Sequence, residues 1–255
     1  MKGFNLDILN KNILVTGGAN GIGKELVKAL IKEGSNVGVI DSDNNSLNKI
    51  KSEFSKVFSF YCDVTKIKDL EKAINKFYNS VGQIDVLVNN AGILYSEPLI
   101  CFNSKGIQKH SYNHWKKVMD VNLNSVFYVS CSVVSKMVEK RTKGVIVNIS
   151  SISAAGNSGQ SAYSAAKAGV NALTSTWSKE LSALGIRVLG ISPGYSDTNS
   201  THKALNQSII NNLKKEIPLK RLGKPKEIVN AIMFGIKNDY MNGKIIEIDG
   251  GLIVT

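Results

Sequence analysis

The chain has few cysteines and few prolines, and it has no long apolar segment. Its three cysteines, Cys62, Cys101 and Cys131, are odd in number and unevenly spaced. This argues against a disulfide framework and fits a reducing compartment. Only four prolines occur, and none interrupts a candidate strand. No apolar run approaches the roughly 20 residues that a membrane-spanning helix needs, so we expect no membrane association.

Other absences narrow the class of protein further. The first seven residues contain no signal-peptide core, so we expect a cytoplasmic protein. The three histidines, His110, His114 and His202, show no metal-ligand spacing, and no metal site is expected. There is no internal repeat, low-complexity tract or long linker. A length of 255 residues fits one α/β domain over residues 1–255 with a sizeable buried core.

Apolar runs of strand length alternate with helical patterns along the chain. Most strand candidates are continuous Val/Ile/Leu runs, as in parallel strands covered on both faces; they lie near 11–16, 36–41, 57–62, 84–89, 144–150, 186–192 and 244–248. Helices are predicted near 21–33, 43–54, 66–80, 113–140, 161–184, 202–215 and 225–236. This order predicts a doubly wound, seven-stranded parallel sheet with helices on both faces and a ligand site at its carboxyl edge.

A glycine-rich turn follows the first strand candidate. Residues 16–23 read T-G-G-A-N-G-I-G and precede a helical pattern. Glycines let a backbone approach phosphates closely, and the free N–H groups of a helix N-terminus attract negative charge. The turn therefore predicts a nucleotide pyrophosphate site formed by Gly17, Asn20, Gly21, Ile22 and Gly23.

An acidic residue stands at the end of the second strand candidate. Asp41 is placed to accept hydrogen bonds from both hydroxyls of an adenosine ribose, and Asp43 follows closely. A 2′-phosphate would meet these carboxylates, and no Lys or Arg occurs between them and Lys49 to offset the repulsion. We therefore expect NAD(H) to be preferred over NADP(H). If Asp41 only caps a helix, the choice of cofactor stays open.

A tyrosine and a lysine four residues apart, Tyr163 and Lys167, share one face of a predicted helix. A free phenol has a pKa of about 10, and an adjacent ammonium group lowers it. The pair can then exchange a proton with an alcohol or carbonyl near neutral pH. Ser151, twelve residues upstream, supplies a hydroxyl that can hold the reacting oxygen.

These features together resemble the short-chain dehydrogenase/reductase family over nearly the whole chain. Residues 16–23 match its T-G-x-x-x-G-x-G motif, residues 89–92 match its N-N-A-G motif, and residues 249–251 match its usual ending. The resemblance implies a Rossmann-type fold and an active-site tetrad of Asn122, Ser151, Tyr163 and Lys167. It also implies further cofactor-binding residues: Asp63 and Val64 at the adenine, Asn90, Ala91 and Gly92 along the cleft, and Pro193, Gly194 and Thr198 at the nicotinamide.

The resemblance also implies a mechanism and an assembly. Tyr163 would protonate the carbonyl oxygen, Lys167 would stabilise the tyrosinate and hold the nicotinamide ribose, and Asn122 would kink its helix and anchor a water in a proton relay. Such enzymes are usually homotetramers, or homodimers, that pack the helices near 113–140 and 161–184 against a twofold mate.

Two segments differ from or elaborate the family pattern. Residues 93–114 are longer than expected; they form either a wall of the substrate pocket or an inert surface excursion. Residues 197–216 correspond to a segment that the family often uses as a substrate lid, and apolar residues recur in it at helical spacing. The alternative is a surface helix that does not move.

The chain is similar to 3-oxoacyl-(acyl-carrier-protein) reductases and to sugar and polyol dehydrogenases of this family. A 3-oxoacyl reductase is the most specific candidate; a dehydrogenase of sugars, polyols or other small hydroxy compounds is the alternative. A non-catalytic dinucleotide-binding scaffold is a remote one, which the intact tetrad disfavours.

The net charge of +12 has three explanations. Nucleic acid is disfavoured because the basic residues are scattered rather than concentrated in one patch. An acidic partner, such as acyl carrier protein or an acyl-CoA, would suit the two basic clusters at 136–143 and 214–221. A lysine-rich composition without a functional meaning is the third.

Overall fold

The computed structural model describes residues 7–104 and 106–252. Its strands are β1 Asn12–Thr16, β2 Asn36–Asp41, β3 Phe58–Tyr61, β4 Val86–Asn89, β5 Ile100–Asn103, β6 Gly106–Lys109, β7 Val145–Ile149, β8 Arg187–Pro193 and β9 Ile245–Ile248. Its α-helices are α1 Gly21–Lys32, α2 Asn44–Glu53, α3 Ile67–Val81, α4 Tyr112–Met119, α5 Ser125–Glu139, α6 Ser161–Glu180, α7 Asn199–Ala204, α8 Gln207–Glu216 and α9 Pro225–Lys237.

Seven strands form one parallel sheet in the order β3-β2-β1-β4-β7-β8-β9. The winding starts at β1, which pairs with β2 on one side and with β4 on the other. The direction of winding therefore reverses between β1 and β4, and a crevice opens beyond their carboxyl ends. The predicted doubly wound sheet of seven parallel strands is confirmed.

Both faces of the sheet are buried, as the apolar strand runs predicted. In β1, Ile13 and Val15 pack into a cluster with α1, α2 and α9, whereas Leu14 packs on the opposite face with α3 and α5. All three side chains are fully buried. Because successive residues of a strand point to opposite faces, only a continuous apolar run can fill both layers.

The strands β5 and β6, residues 100–103 and 106–109, form an antiparallel pair that was not predicted, here called the hairpin. Its strands are only four residues long and are largely exposed, so they lack the buried apolar run by which the other strands were recognised. Phe102 and Ile107 pair across the hairpin, and both are more than 60% exposed. The hairpin is a separate two-stranded sheet and does not extend the central sheet.

Two predicted helices are interrupted. The helix expected near 113–140 is α4 and α5 joined by a π-helical turn, Asp120–Asn124. The helix expected near 202–215 is α7 and α8, separated at Leu205 and Asn206, whose backbones are extended. Asn206 ends the connection by accepting a hydrogen bond from the backbone N–H of Ile209, which caps α8.

Across residues 7–104 and 106–252, no helix is both long and apolar enough to cross a bilayer. The same residues contain no group of three or more His, Cys, Asp or Glu side chains arranged to hold a metal ion. Cys62, Cys101 and Cys131 are unpaired thiols.

Candidate active site

A cavity of about 590 Å³ runs along the carboxyl edge of the sheet, over the crevice between β1 and β4. Every residue that the sequence nominated lines this cavity. They are Gly17, Asn20, Gly21, Ile22, Gly23, Asp41, Asp63, Val64, Asn90, Ala91, Gly92, Asn122, Ser151, Tyr163, Lys167, Pro193, Gly194 and Thr198. The structure thus brings together side chains that are far apart in the sequence.

The glycine turn packs too closely against its neighbours for residues that carry a Cβ atom. A Cβ atom on Gly23 would lie 2.1 Å from the carbonyl oxygen of Gly17, and one on Gly17 would lie 2.8 Å from Cα of Ala91. Asn90 secures the turn, because its Nδ2 donates to the carbonyl oxygens of Gly17 at 2.8 Å and of Thr16 at 3.1 Å. The first turn of α1 is accordingly fixed against β4.

The N-terminus of α1 faces the cavity without a side-chain cap. Asn20 occupies the capping position, but its side chain makes no capping hydrogen bond and donates instead to Asp43 at 3.3 Å. The first N–H groups of the helix are left without acceptors inside the helix. With the close approach that the glycines allow, these donors fit a pyrophosphate.

Asp41 lies at the end of β2 with its carboxylate oriented by the backbone. Its Oδ2 accepts from the N–H of Ala19 and its Oδ1 from the N–H of Asp43, each at 3.0 Å. Among the described residues, no Lys, Arg or His nitrogen lies within salt-bridge distance of Asp41. Hydrogen bonds from Ser46 hold the pKa of the neighbouring Asp43 below its ordinary value, which keeps a second carboxylate ionised there.

Lys167 is buried on α6 with Tyr163 one turn before it. Its Nζ donates to the carbonyl oxygen of Ile149 at 2.7 Å and lies 5.8 Å from the centre of the Tyr163 ring. Burial of the ammonium group lowers the pKa of Lys167 to about 8. The amine therefore titrates close to neutral pH instead of above pH 10.

The structure corrects one electrostatic prediction. The sequence predicted that Lys167 lowers the pKa of Tyr163, but the pKa of Tyr163 is raised, chiefly because burial disfavours the phenolate. A hydrogen bond with Ser151 acts in the opposite direction, and Tyr195 adds a smaller upward contribution. The desolvation of the phenol therefore outweighs the effect of Lys167, whose Nζ lies 5.8 Å from the ring centre and donates to the carbonyl oxygen of Ile149.

Asn122 lies in the π-helical turn between α4 and α5 and is fully buried. Its amide makes two hydrogen bonds of 3.0 Å with the backbone of Ile93, donating to the carbonyl and accepting from the N–H. The helix is thus interrupted by a π-helical turn at Asn122, and such turns are frequent at functional sites. A Cβ on Gly92 would lie 2.7 Å from Oδ1 of Asn122 and 3.8 Å from Nζ of Lys167, so these three residues converge.

Pro193, Gly194 and Thr198, which the family resemblance places at the nicotinamide, line the cavity at and after the end of β8. Gly194 packs closely on the chain after β9, since a Cβ there would lie 2.7 Å from Cα of Asp249. Thr198 caps α7 by accepting from the N–H of Thr201 at 3.2 Å. Its methyl group would be 3.7 Å from a Cβ on Gly21, so the start of the lid segment, residues 197–216, lies beside the glycine turn.

The 93–114 segment contributes only its beginning to the cavity, through Ile93 and Leu94. His110 and His114, at the end of this segment, do not line the cavity. Both face one carboxylate oxygen of Glu97, at 3.6 Å and 3.3 Å respectively. This cluster holds the base of the hairpin.

Gln160 and Tyr195 are among the lining side chains that sequence reasoning missed. Gln160 directly precedes α6, and Tyr195 directly follows the Pro193-Gly194 turn. Their position beside nominated motifs was the only available signal, because no residue type is demanded at either place.

Comparisons with known proteins agree with this geometry. A family profile described as short chain dehydrogenase matches residues 11–208. The chain is 37% identical over 251 residues to the 3-oxoacyl-(acyl-carrier-protein) reductase of Thermotoga maritima, covering 96% of this chain and 98% of that protein. It is 37% identical over 250 residues to the acetoacetyl-CoA reductase of Allochromatium vinosum, covering 94% and 98%. The crystal structure of gox2181 is similar with a TM-score of 0.88, at 30% identity and 97% coverage of both chains.

Proposed function

The chain belongs to the short-chain dehydrogenase family, and we propose that it is an NAD(H)-dependent reductase of 3-oxoacyl thioesters. As a member of this family it is an oxidoreductase that interconverts an alcohol and a carbonyl with a nicotinamide dinucleotide. The observation that supports the proposal most strongly is the single cavity, in which a phosphate-type glycine turn, an acidic strand end and the Ser151, Tyr163 and Lys167 group all meet.

The residues of the cavity fit the cofactor. The uncapped N-terminus of α1 and the close-packed glycines would hold the pyrophosphate, with Asn20, Gly21, Ile22 and Gly23 nearest to it. Asp63 and Val64 would contact the adenine, and Asn90, Ala91 and Gly92 would line the path toward the nicotinamide. Pro193, Gly194 and Thr198 would meet the carboxamide. When bound, the dinucleotide supplies or accepts the hydride.

The preference for NAD(H) is supported by charge. Asp41 and Asp43 lie together after β2, and a 2′-phosphate would be repelled by both carboxylates. The only basic side chains among the described residues that line the cavity are Lys117 and Lys167. Lys167 is engaged with Ile149, and Lys117 adjoins a smaller pocket with Asp63 and Asp120. Neither is paired with Asp41.

The catalytic steps are proton steps of this chain's own residues. Ser151 would donate a hydrogen bond to the substrate carbonyl, and Tyr163 would give its phenolic proton to that oxygen as negative charge develops on it. Lys167, with a pKa of about 8, would be mostly protonated at neutral pH and would stabilise the tyrosinate that is left. Asn122 would hold a water that returns the proton from solvent through Lys167.

The substrate class is supported by the relatives. Proteins named as 3-oxoacyl-(acyl-carrier-protein) reductase and as acetoacetyl-CoA reductase match this chain over nearly its full length. The basic cluster of the lid region is weaker support for an acyl carrier protein or CoA than its sequence suggested. Arg221 is neutralised by a bidentate ion pair with Glu227, which leaves three lysines of the cluster, Lys214, Lys215 and Lys220, without an acidic partner among the described residues.

The remaining assignments extend the same proposal. A homotetramer or homodimer, assembled in the cytoplasm, would cover apolar side chains that are exposed on and near the long helices, such as Phe127, Val138 and Leu184. The lid role of residues 197–216 is supported by their separate apolar cluster, which packs apart from the two main cores.

The test is the decay of absorbance at 340 nm with acetoacetyl-CoA, run in parallel with NADH and with NADPH. We expect turnover with a clear preference for NADH. Turnover only with NADPH would overturn the argument from Asp41. Absence of turnover with both, together with tight NADH binding, would overturn the 3-oxoacyl assignment and direct attention to sugars and polyols.

A further inference from the structure

Four polar side chains form a hydrogen-bonded network at the cavity, which two of them, Gln160 and Tyr195, line directly. Asn157 donates through Nδ2 to the hydroxyl oxygen of Tyr195 at 3.0 Å and to Oε1 of Gln160 at 3.3 Å. Gln160, only 4% exposed, in turn donates through Nε2 to the hydroxyl of Ser96 at 3.2 Å. The mechanism outlined above uses none of these four residues.

The direction of these hydrogen bonds leaves one donor of the network, the O–H of Tyr195, without an acceptor in the network. Both N–H groups of Asn157 are engaged, one by Tyr195 and one by Gln160. Tyr195 therefore acts as an acceptor toward Asn157, and its own O–H must find another partner. Within the described ranges, 7–104 and 106–252, no protein acceptor receives that hydrogen. Since Tyr195 lines the cavity, its hydroxyl is a donor available to a bound molecule.

Tyr195 is fixed from two sides. The N–H of Gly223 donates to its carbonyl oxygen at 2.9 Å, which holds the backbone after the Pro193-Gly194 turn. Its ring packs against an apolar cluster of the lid segment and the chain that follows, here called the lid cluster, formed by Leu205, Ile210, Ile217 and Leu222. With the lid segment in this position the phenol is held in one place, as a specificity group requires.

Tyr195 lines the same cavity as Ser151 and Tyr163, the residues that would bind the oxygen that is reduced. A molecule that occupies this cavity can therefore contact the hydroxyl of Tyr195 together with Ser151 and Tyr163.

We propose that Tyr195 is a specificity-determining residue, whose hydroxyl binds the thioester carbonyl of a 3-oxoacyl substrate while Ser151 and Tyr163 bind the oxygen that is reduced. Asn157 and Gln160 are positioning residues that keep the Tyr195 hydroxyl directed into the cavity. A carbonyl oxygen, which only accepts, matches a lone donor. A polyol hydroxyl at the same place would bring a donor of its own. This inference rests on the proposed function and adds the means by which the second oxygen is recognised.

The experiment compares two substrates with and without that second oxygen. One is the N-acetylcysteamine thioester of acetoacetate, and the other is the matching thioether, in which a methylene replaces the thioester carbonyl. Tyr195→Phe should lower the ratio of kcat/KM for thioester over thioether by about tenfold, the effect of one lost hydrogen bond at a reacting substrate. NADH affinity, measured by fluorescence, should be unchanged and reports that the variant is folded.

A second variant tests the direction of the hydrogen bonds. Asn157→Asp replaces the donor to Tyr195 with an acceptor, so the hydroxyl of Tyr195 should turn to Asp and the same ratio should fall at least as far as in Tyr195→Phe. Equal losses for both substrates, or no loss, would show that Tyr195 only supports the fold, and would overturn this inference while leaving the proposed function intact. If the unmodified enzyme reduces neither compound and not acetoacetyl-CoA, both fall.

Discussion

The two ends of the cavity are built in different ways. The end near α1 is built from backbone: glycines whose missing side chains let the turn, α1 and β4 approach closely, held by the amide of Asn90. The substrate end is built from side chains held by hydrogen bonds, such as Gln160 and Tyr195, which both accept from Asn157. A backbone site requires particular residue types, whereas a side-chain wall can be made in many ways. The first is therefore rigid and recognisable, and the second can change between relatives.

The largest effect is expected from a substitution at the backbone end. Gly23→Ala places a methyl group 2.1 Å from the carbonyl of Gly17 and 2.6 Å from Nδ2 of Asn90, so the turn and the helix must separate. We expect the free energy of unfolding to fall by about 3 kcal/mol and NADH binding to be lost. Urea unfolding and fluorescence titration measure both.

The matched control for that substitution is Gly223→Ala. A Cβ on Gly223 meets its nearest atom at 3.7 Å, at an ordinary backbone conformation, so it should be tolerated. If Gly23→Ala were as stable as Gly223→Ala and bound NADH normally, the close packing would not be what defines the backbone end.

The second largest effect is expected from a substitution at Tyr163. Tyr163→Phe removes the proposed proton donor but keeps the ring, so turnover should fall at least a hundredfold, as for the loss of general acid catalysis. NADH affinity should remain within about twofold, because a phenyl ring still occupies the same space. Stopped-flow or steady-state absorbance at 340 nm measures turnover, and unchanged turnover would refute the role of Tyr163.

The contrast between the two ends of the cavity also explains which features could be predicted from the sequence. Continuous apolar runs such as residues 13–15 predicted the parallel sheet, because only buried strands need apolar residues on both faces. The glycine turn and Asp41 could be placed because phosphate and ribose contacts demand particular residues at particular strand ends. All the residues nominated as catalytic or cofactor-binding then line one cavity.

What sequence reasoning missed has an equally physical cause. The hairpin of β5 and β6 has exposed strands, so burial imposed no pattern on it. The break between α7 and α8 depends on the extended backbone at Leu205 and on capping by Asn206, both too local to interrupt the helical spacing of apolar residues. The raised pKa of Tyr163 depends on burial depth, which residue spacing does not report.

A smaller effect is expected at the acidic strand end. Asp41→Asn keeps an acceptor for one backbone N–H but removes the charge that would repel a 2′-phosphate. The ratio of dissociation constants for NADPH over NADH should fall by about tenfold, which corresponds to about 1.4 kcal/mol. Asp69→Asn is the control, since it makes the same change in net charge at an exposed position outside the cavity. Equal ratios in the two variants would mean that Asp41 does not select the cofactor.

The smallest effect is a dependence of stability on pH that arises from Lys167. In the unfolded chain this amine has its ordinary pKa of 10.5, whereas burial lowers the folded value to about 8. Between these values the unfolded state binds more protons, so the free energy of unfolding should rise with pH. From pH 8 to pH 9 the gain should be about 1 kcal/mol.

Lys167→Met isolates that contribution, because methionine keeps an unbranched side chain without a titrating group. The buried thiol of Cys62, whose pKa burial raises to about 11, titrates in both proteins and cancels from the difference. Urea unfolding at pH 8 and pH 9 should show a rise in the unmodified protein that Lys167→Met lacks. Parallel changes in the two would mean that the lysine is not held in a desolvated site, and that the centre of the cavity is wetter than its two ends suggest.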